Sequence, residues 1–317
     1  MTYNRIYTKE KWQKVNEYNK SILNDYIMEC KAQKKAKSSI DQYYNDARII
    51  LIYIMEELDN KPLYKLNKKS FRSIMLWFQE NGMSSSRINR LLTTARNLLN
   101  FGLDDDEYEE DFEDLKAKPS RIKGMKKESV RTIVFLTDEE VELIYNKLIE
   151  EKKYTQALLC AVMYDSACRR NEVYQLKRED FVEGKKFSKN EVKGKRGKKF
   201  RVLFHKRSFE AFKLLEETRK DKYETLWLNK QGTPCSYESL YFWVIEWQKY
   251  LLNGKKFNAH SFRHSALENY SEGTHYAINK KLDINKLKIL AHHKSIDTTN
   301  LYLQNKDDEL IAEEFDF

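Results

Sequence analysis

The stretch from His260 to Tyr302 constrains this chain most. It reads His-Ser-Phe-Arg at 260–263 and Leu-Ala-His-His-Lys-Ser-Ile-Asp-Thr-Thr-Asn-Leu-Tyr at 290–302. His260 and Arg263 stand three residues apart, which on a helix places both on one face where they can approach one ligand. A second histidine pair, His292 and His293, follows, and Tyr302 comes nine residues after His293. Such a set is half of an active site, so the fold must bring the other half to it.

The chemistry that needs these residue types is transfer of a DNA phosphodiester to a tyrosine. A phenol, with a pKa near ~10, is a poor nucleophile at neutral pH; a neighbour must take or stabilise its proton, and cations must surround the phosphate. Guanidiniums suit that task because each presents a planar fork of donors and stays charged throughout. Histidines add proton transfer and further hydrogen bonds. A second arginine lies upstream, in Ser166-Ala167-Cys168-Arg169-Arg170-Asn171-Glu172-Val173-Tyr174-Gln175-Leu176.

These boxes resemble those of the tyrosine recombinases, the phage integrase family. The family's first box is a small residue, any residue, the catalytic arginine, two more and a glutamate, then an apolar helix face and an acidic residue. Arg169, Glu172, Leu176 and Asp180 fall on those places. The second box, His-x-x-Arg, is matched by His260 and Arg263, and the third, Leu-Gly-His with a Thr-Thr segment before the nucleophile, by His293 and Tyr302. Two positions depart from the pattern: Ala167 and His292 each replace a usual glycine. Because glycine permits backbone shapes that other residues resist, either the loop at His292 is built differently or His292 itself reaches DNA. The segment between Arg263 and Tyr302 is also somewhat longer than is usual in the family, around 272–283.

The resemblance implies a mainly α fold with a small β-sheet: a helical core-binding (SAM-like) domain, then an α+β catalytic domain of the DNA breaking-rejoining type. It implies that Arg169, Arg263 and His293 hold the scissile phosphate, that Tyr302 attacks it, that His260 moves the tyrosine proton, and that Glu172 orients the basic groups. A lysine on a β-hairpin serves the family as general acid; Lys195 is the best match in Val192-Lys193-Gly194-Lys195-Arg196-Gly197-Lys198, with Lys198 the alternative. Neither a cofactor nor a metal is needed. The implied partner is a double-stranded DNA recombination site, held by a homotetramer, with a directionality factor as a further partner. Two rival readings share part of this pattern: a type IB topoisomerase that relaxes DNA, and a catalytically inactive DNA-binding regulator.

Residues 1–20 are polar and aromatic without a clear period, and are expected to be a short tail or a first helix turn, too short for the arm-site domain that some family members carry. Helical periodicity then runs over 21–102. Ile40, Tyr43, Tyr44, Ala47, Ile50, Leu51 and Ile54 form one stripe, a second helix covers 70–80, and another starts at Ser84-Ser85-Ser86. A core-binding domain over 21–115 follows, in which Arg87 and Arg90 are expected to point outward to phosphates. An acidic run, 104–114, precedes a basic linker, 116–136, with Pro119 and Gly124. In the family that linker lies along DNA, which makes Lys116, Lys118, Arg121 and Lys123 backbone contacts, as is Lys198 on the hairpin.

The catalytic domain, 137–317, opens at Thr137-Asp138-Glu139-Glu140, a capping box. A small sheet is expected within 187–204, then helices over 207–217 and 236–252, the latter rich in aromatic residues that belong to the core. The tail, 307–317, sets Leu310, Ile311, Phe315 and Phe317 among acids; it either packs into a neighbouring protomer, as in the family, or folds back on its own domain.

Composition agrees. The chain's 317 residues give room for about two domains, and a net charge of +9 with a pI of about 9.0 favours a polyanion partner. The longest apolar runs, 49–55 and 157–164, fall far short of the ~18 residues of a membrane span, and the first residues have no signal-peptide core, so a cytoplasmic protein without a membrane partner is expected. Cys30, Cys160, Cys168 and Cys235 are too scattered for a zinc site or a disulfide framework.

Overall fold

The computed structural model describes residues 6–126, 133–293 and 295–300. Tyr302 and the tail at 307–317 lie outside the described residues. The chain divides into two compact units, Met1–Arg131 and Thr132–Phe317.

The first unit is helical: α1 (Lys9–Lys14), α2 (Glu17–Ala32), α3 (Lys37–Glu57), α4 (Lys68–Glu80), α5 (Ser85–Asp104) and the short α6 (Glu109–Phe112). Ser84 caps α5, its hydroxyl accepting the Arg87 amide at 3.3 Å, and Ile88, Leu91, Leu92, Ala95, Leu98 and Leu99 face inward at helical spacing. At Gly102 a Cβ would stand 2.6 Å from the Phe112 ring, so only glycine lets α6 close on α5.

Two expectations change here. Residues 6–20, the described part of the expected tail, are not simply a tail. Val15 is 2% exposed within the bundle core, and the buried Asn19 carboxamide donates to Lys61 O at 3.0 Å and accepts from Leu63 N at 2.9 Å. Polar side chains tie α2 to the 60–63 turn, which is why no apolar period marks the segment. Arg87 does not point outward. Its guanidinium turns in to Asp46, which is 1% exposed, with Nη1 to Oδ1 at 2.7 Å; Arg90 joins the same carboxylate at 2.9 Å while keeping part of its side chain in solvent. A buried carboxylate on α3 needs compensation, and these two arginines supply it.

Beyond α6 the chain alternates. Leu115, Ala117, Pro119 and Ile122 are buried against the bundle, whereas Lys116, Lys118, Arg121 and Lys123 are exposed. The apolar residues anchor the segment and the basic ones form an outward row.

The second unit is built around α8 (Tyr154–Ser166), which is buried at every residue from Gln156 to Ser166. A helix apolar all round must be enclosed. It packs against α7 (Asp138–Glu150), α10 (Lys206–Thr218) and α12 (Ala259–Glu272). The expected capping box starts α7: Thr137 Oγ1 accepts the Glu140 amide at 3.3 Å and Glu140 Oε2 accepts the Thr137 amide at 3.0 Å.

Between α8 and α10 come α9 (Arg170–Tyr174) and a two-stranded antiparallel sheet, β1 (Val192–Lys193) with β2 (Lys199–Phe200), joined by a 3-10 turn at Lys195–Gly197. Phe187 and Leu203 extend the pairing as an isolated bridge. After α10 come α11 (Tyr237–Glu246), α12, α13 (Ile284–Leu290) and α14 (Ile296–Asn300). On α11 the core takes Leu240 and Val244, and Trp247 just beyond it, whereas Tyr241 and Phe242 are 40% and 66% exposed. Tyr237 and Tyr241 instead flank the Arg170 guanidinium, 4.0 and 5.4 Å from their ring centres, so these aromatics are only partly core. Among the described residues no helix is long and apolar enough to cross a membrane.

Candidate active site

The site starts where α8 stops. Ser166 Oγ donates to Val162 O at 2.6 Å and accepts from the Cys168 amide at 3.1 Å, and Ala167 adopts a left-handed conformation at φ +50. That reversal ends α8 and presents Arg169 as the residue ahead of α9. Glu172, buried to 1%, accepts the Arg169 amide at 2.7 Å with one oxygen and Arg169 Nη1 at 3.0 Å with the other. One carboxylate therefore fixes both the backbone and the head group of Arg169, whose side chain stays 29% exposed.

The β1–β2 hairpin closes over this pair. A Cβ at Gly194 would come within 2.8 Å of the Phe200 ring and 3.1 Å of Glu172 Oε1, so the glycine permits the approach. Asn258 caps α12, accepting from the amides of His260 and Ser261 at 2.8 and 3.3 Å; this sets His260 on the first turn and Arg263 one turn on. After α13 the chain turns at His292, φ +54, whose ring stacks on Phe200 with centres 3.5 Å apart. The loop keeps a glycine-like backbone, and an aromatic contact holds the larger side chain there.

These elements enclose a cleft of about 650 Å³ lined by Arg169, Glu172, Lys195, Lys198, His260, His292 and His293. One expected residue does not line it. Arg263 is fully buried, its guanidinium donating to Ala167 O, to Ala291 O and, at 2.9 Å, to His293 Nε2. It stands one layer behind His293. Tyr302 falls outside the described residues. Lys195 and Lys198 both reach the cleft from exposed positions on the hairpin. Lys116, Lys118, Arg121 and Lys123 belong to the first unit, as do Arg87 and Arg90.

Electrostatics in the cleft are one-sided. Desolvation first, then His264, Arg263 and Arg169, push the His260 pKa down to about 4. Desolvation, Lys198, Arg263 and Arg169 push His292 down to about 4, and desolvation, Arg263 and Arg169 push His293 down to about 3. Burial is the largest cause of these shifts and the neighbouring positive charge adds to it, so the histidines stay neutral at neutral pH. An anion entering the cleft offsets the part of the penalty that the neighbouring cations impose. Among the described residues no group of three or more histidine, cysteine, aspartate or glutamate side chains is placed to hold a metal ion.

Two contributors escaped the sequence reading. Phe200 supports His292, and Thr299, on α14, sits 3.1 Å from His293 Nδ1. The Thr-Thr pair is visible in the sequence, but its spacing from His293 does not say which ring atom it meets.

A helical unit followed by a mixed unit with this cleft defines a protein of tyrosine recombinase fold. Solved structures of that class bear this out: XerH bound to a palindromic difH substrate matches with a TM-score of 0.65 at 19% identity, over 90% of this chain and 81% of that one. A lambda integrase tetramer bound to a Holliday junction matches with a TM-score of 0.67 at 15% identity, over 90% of this chain and 76% of that one. The SPbeta prophage-derived recombinase-like protein YomM of Bacillus subtilis (strain 168) is 25% identical, over 95% of this chain and 92% of its own. Residues 134–309 match the phage integrase family, and the chain belongs to it.

Proposed function

We propose that the protein is a site-specific DNA recombinase that cleaves and rejoins strands through a 3′-phosphotyrosyl intermediate on Tyr302. The observation that carries this reading is the convergence of Arg169, Glu172, His260, His293 and the hairpin lysines on one cation-rich cleft. The exposed edge of Arg169 receives the non-bridging oxygens of the scissile phosphate, and Arg263 adds its charge from behind His293. Both stabilise the charge that builds as the phosphorus becomes five-coordinate. Neutral His260 takes the phenol proton as the tyrosine oxygen bonds to phosphorus. The bond to the 5′ oxygen breaks, and Lys195 or Lys198 gives that oxygen its proton. Attack by a 5′ hydroxyl of the partner strand reverses each step, so the phosphodiester energy is conserved and no nucleotide cofactor is spent.

The helical unit serves as core-binding domain, 116–136 as the linker along DNA, and 137–317 as catalytic domain. Lys116, Lys118, Arg121 and Lys123 contact phosphates. The working assembly is a cytoplasmic homotetramer on two DNA sites of a mobile element, with a directionality factor choosing between integration and excision.

The test uses a suicide substrate nicked beside a neighbouring attachment sequence, with wild type and Tyr302→Phe, in chelator. The expected result is a covalent protein–DNA band for wild type alone. Tight DNA binding without that band would replace this reading with a DNA-binding regulator, and relaxation of plasmids lacking any such site would replace it with a topoisomerase.

A further inference from the structure

The hydrogen bonds around His293 run in one direction only. A guanidinium has donors and no acceptor, so the 2.9 Å contact between Arg263 Nη2 and His293 Nε2 obliges Nε2 to accept. A neutral imidazole then carries its proton on Nδ1. That proton faces Thr299 Oγ1 at 3.1 Å, and the threonine hydroxyl in turn donates back along its own helix to Ser295 O at 3.5 Å. In these contacts His293 and Thr299 each use one donor and one acceptor, an arrangement that the neutral, Nδ1-protonated ring satisfies. Thr299 is fully buried and His293 is 6% exposed, so water does not compete for these positions.

We propose that Thr299 is a positioning residue that fixes His293 as the Nδ1-protonated tautomer, which makes His293 a rigid acceptor for Arg263. This inference rests on the recombinase reading for its kinetic consequence and on geometry alone for the tautomer. Without the Thr299 hydroxyl the Nδ1 proton loses the acceptor 3.1 Å away, and the ring is released to rotate; once Nε2 no longer faces Arg263, the proton can move to it. That rotation takes one acceptor away from the Arg263 guanidinium and leaves it the carbonyls of Ala167 and Ala291. Thr299 stands three positions before Tyr302 in the sequence.

The test compares Thr299→Val, which keeps shape and loses the hydroxyl, with Thr299→Ser, which keeps the hydroxyl. Single-turnover cleavage of the suicide substrate should slow by about 10- to 100-fold in Thr299→Val, the range usual for losing a group that orients a functional histidine. DNA affinity should hold, and Thr299→Ser should recover most of the rate. In the DNA-free proteins, ¹⁵N spectra of the histidine rings should show His293 protonated on Nδ1 in wild type and Thr299→Ser and shifted toward Nε2 in Thr299→Val. A Thr299→Val protein that cleaves at the wild-type rate, a Thr299→Ser protein as slow as Thr299→Val, or an unchanged Nδ1 signal in Thr299→Val overturns the proposal. Should wild type itself form no covalent complex, the recombinase reading fails separately, and the ring spectra alone decide the tautomer.

Discussion

Each unit of this protein contains a buried carboxylate paired with arginine, and the two pairs are finished differently. In the first unit Asp46 takes both Arg87 and Arg90, and the Arg87 side chain is only 11% exposed. The guanidinium is consumed by its partner. In the second unit Glu172 takes one nitrogen and the backbone amide of Arg169, and leaves the rest of a 29% exposed side chain facing a cleft that also holds two lysines and three histidines. One carboxylate binds two arginines and encloses the Arg87 head group; the other fixes one side of Arg169 and leaves its other side facing the cleft. The difference marks which pair holds a fold together and which awaits an anion.

Removing each arginine's role should separate the two. Arg169→Ala is expected to lower suicide-substrate cleavage by on the order of 10³-fold, the scale for losing one preorganised charge stabiliser, while its melting temperature falls less than that of Asp46→Ala because Glu172 keeps its bond from the backbone amide. A melting loss as large as that of Asp46→Ala would move Arg169 into the structural class. Asp46→Ala should do the opposite. It leaves Arg87 enclosed without its carboxylate, and a chemical-denaturation curve should show a loss of about 3–5 kcal/mol. The folded fraction should cleave normally at low temperature; a specific loss of cleavage there would give Asp46 a part in DNA binding.

The two pairs also differ in how far the sequence declared them. Arg169, Glu172, His260, Arg263 and His293 sit in short boxes whose order and spacing carry the chemistry, and all but Arg263 line the cleft. The burial of Arg263 was not legible, because it depends on Ala167 O and Ala291 O, carbonyls that only the closed fold brings to it. Arg87 looked like a phosphate contact because its partner, Asp46, lies on another helix and no local spacing links them. The long helices were legible from apolar periodicity. α1 and the start of α2 were not, since Asn16 and Asn19 make their contacts through amides to a turn some forty residues on.

A pH titration sharpens the contrast. His293 has a folded-state pKa near 3 against an ordinary 6.5, with His260 and His292 near 4. Below pH 6.5 the unfolded chain binds protons that the folded cleft refuses, so stability is full above that pH and declines as pH falls toward about 4 for His260 and His292 and about 3 for His293. The melting temperature of the DNA-free protein should drop across this window, and inorganic phosphate should flatten the slope by letting the histidines protonate. His293→Gln should remove part of the slope. A slope that ignores phosphate would mean that the cleft's charge is not open to an anion.

The smallest expected effect concerns His292, where three opposing contributions nearly cancel. A left-handed residue other than glycine carries a strain of roughly 1–2 kcal/mol, which His292→Gly would relieve at φ +54. The same change gives up the stack on Phe200, worth about 0.5–1.5 kcal/mol, and adds glycine's extra unfolded-state freedom, roughly 0.5–1 kcal/mol. Stability should therefore move by no more than about 1.5 kcal/mol in denaturant, since the three ranges together run from about 1 kcal/mol gained to about 1.5 kcal/mol lost. Cleavage is the informative readout, because His292 also faces the anion site. If His292 only fills the turn, the glycine variant cleaves within a few-fold of wild type. If cleavage falls tenfold or more while stability holds, the histidine itself meets DNA, and the arginine-centred account of the cleft must be widened to include it.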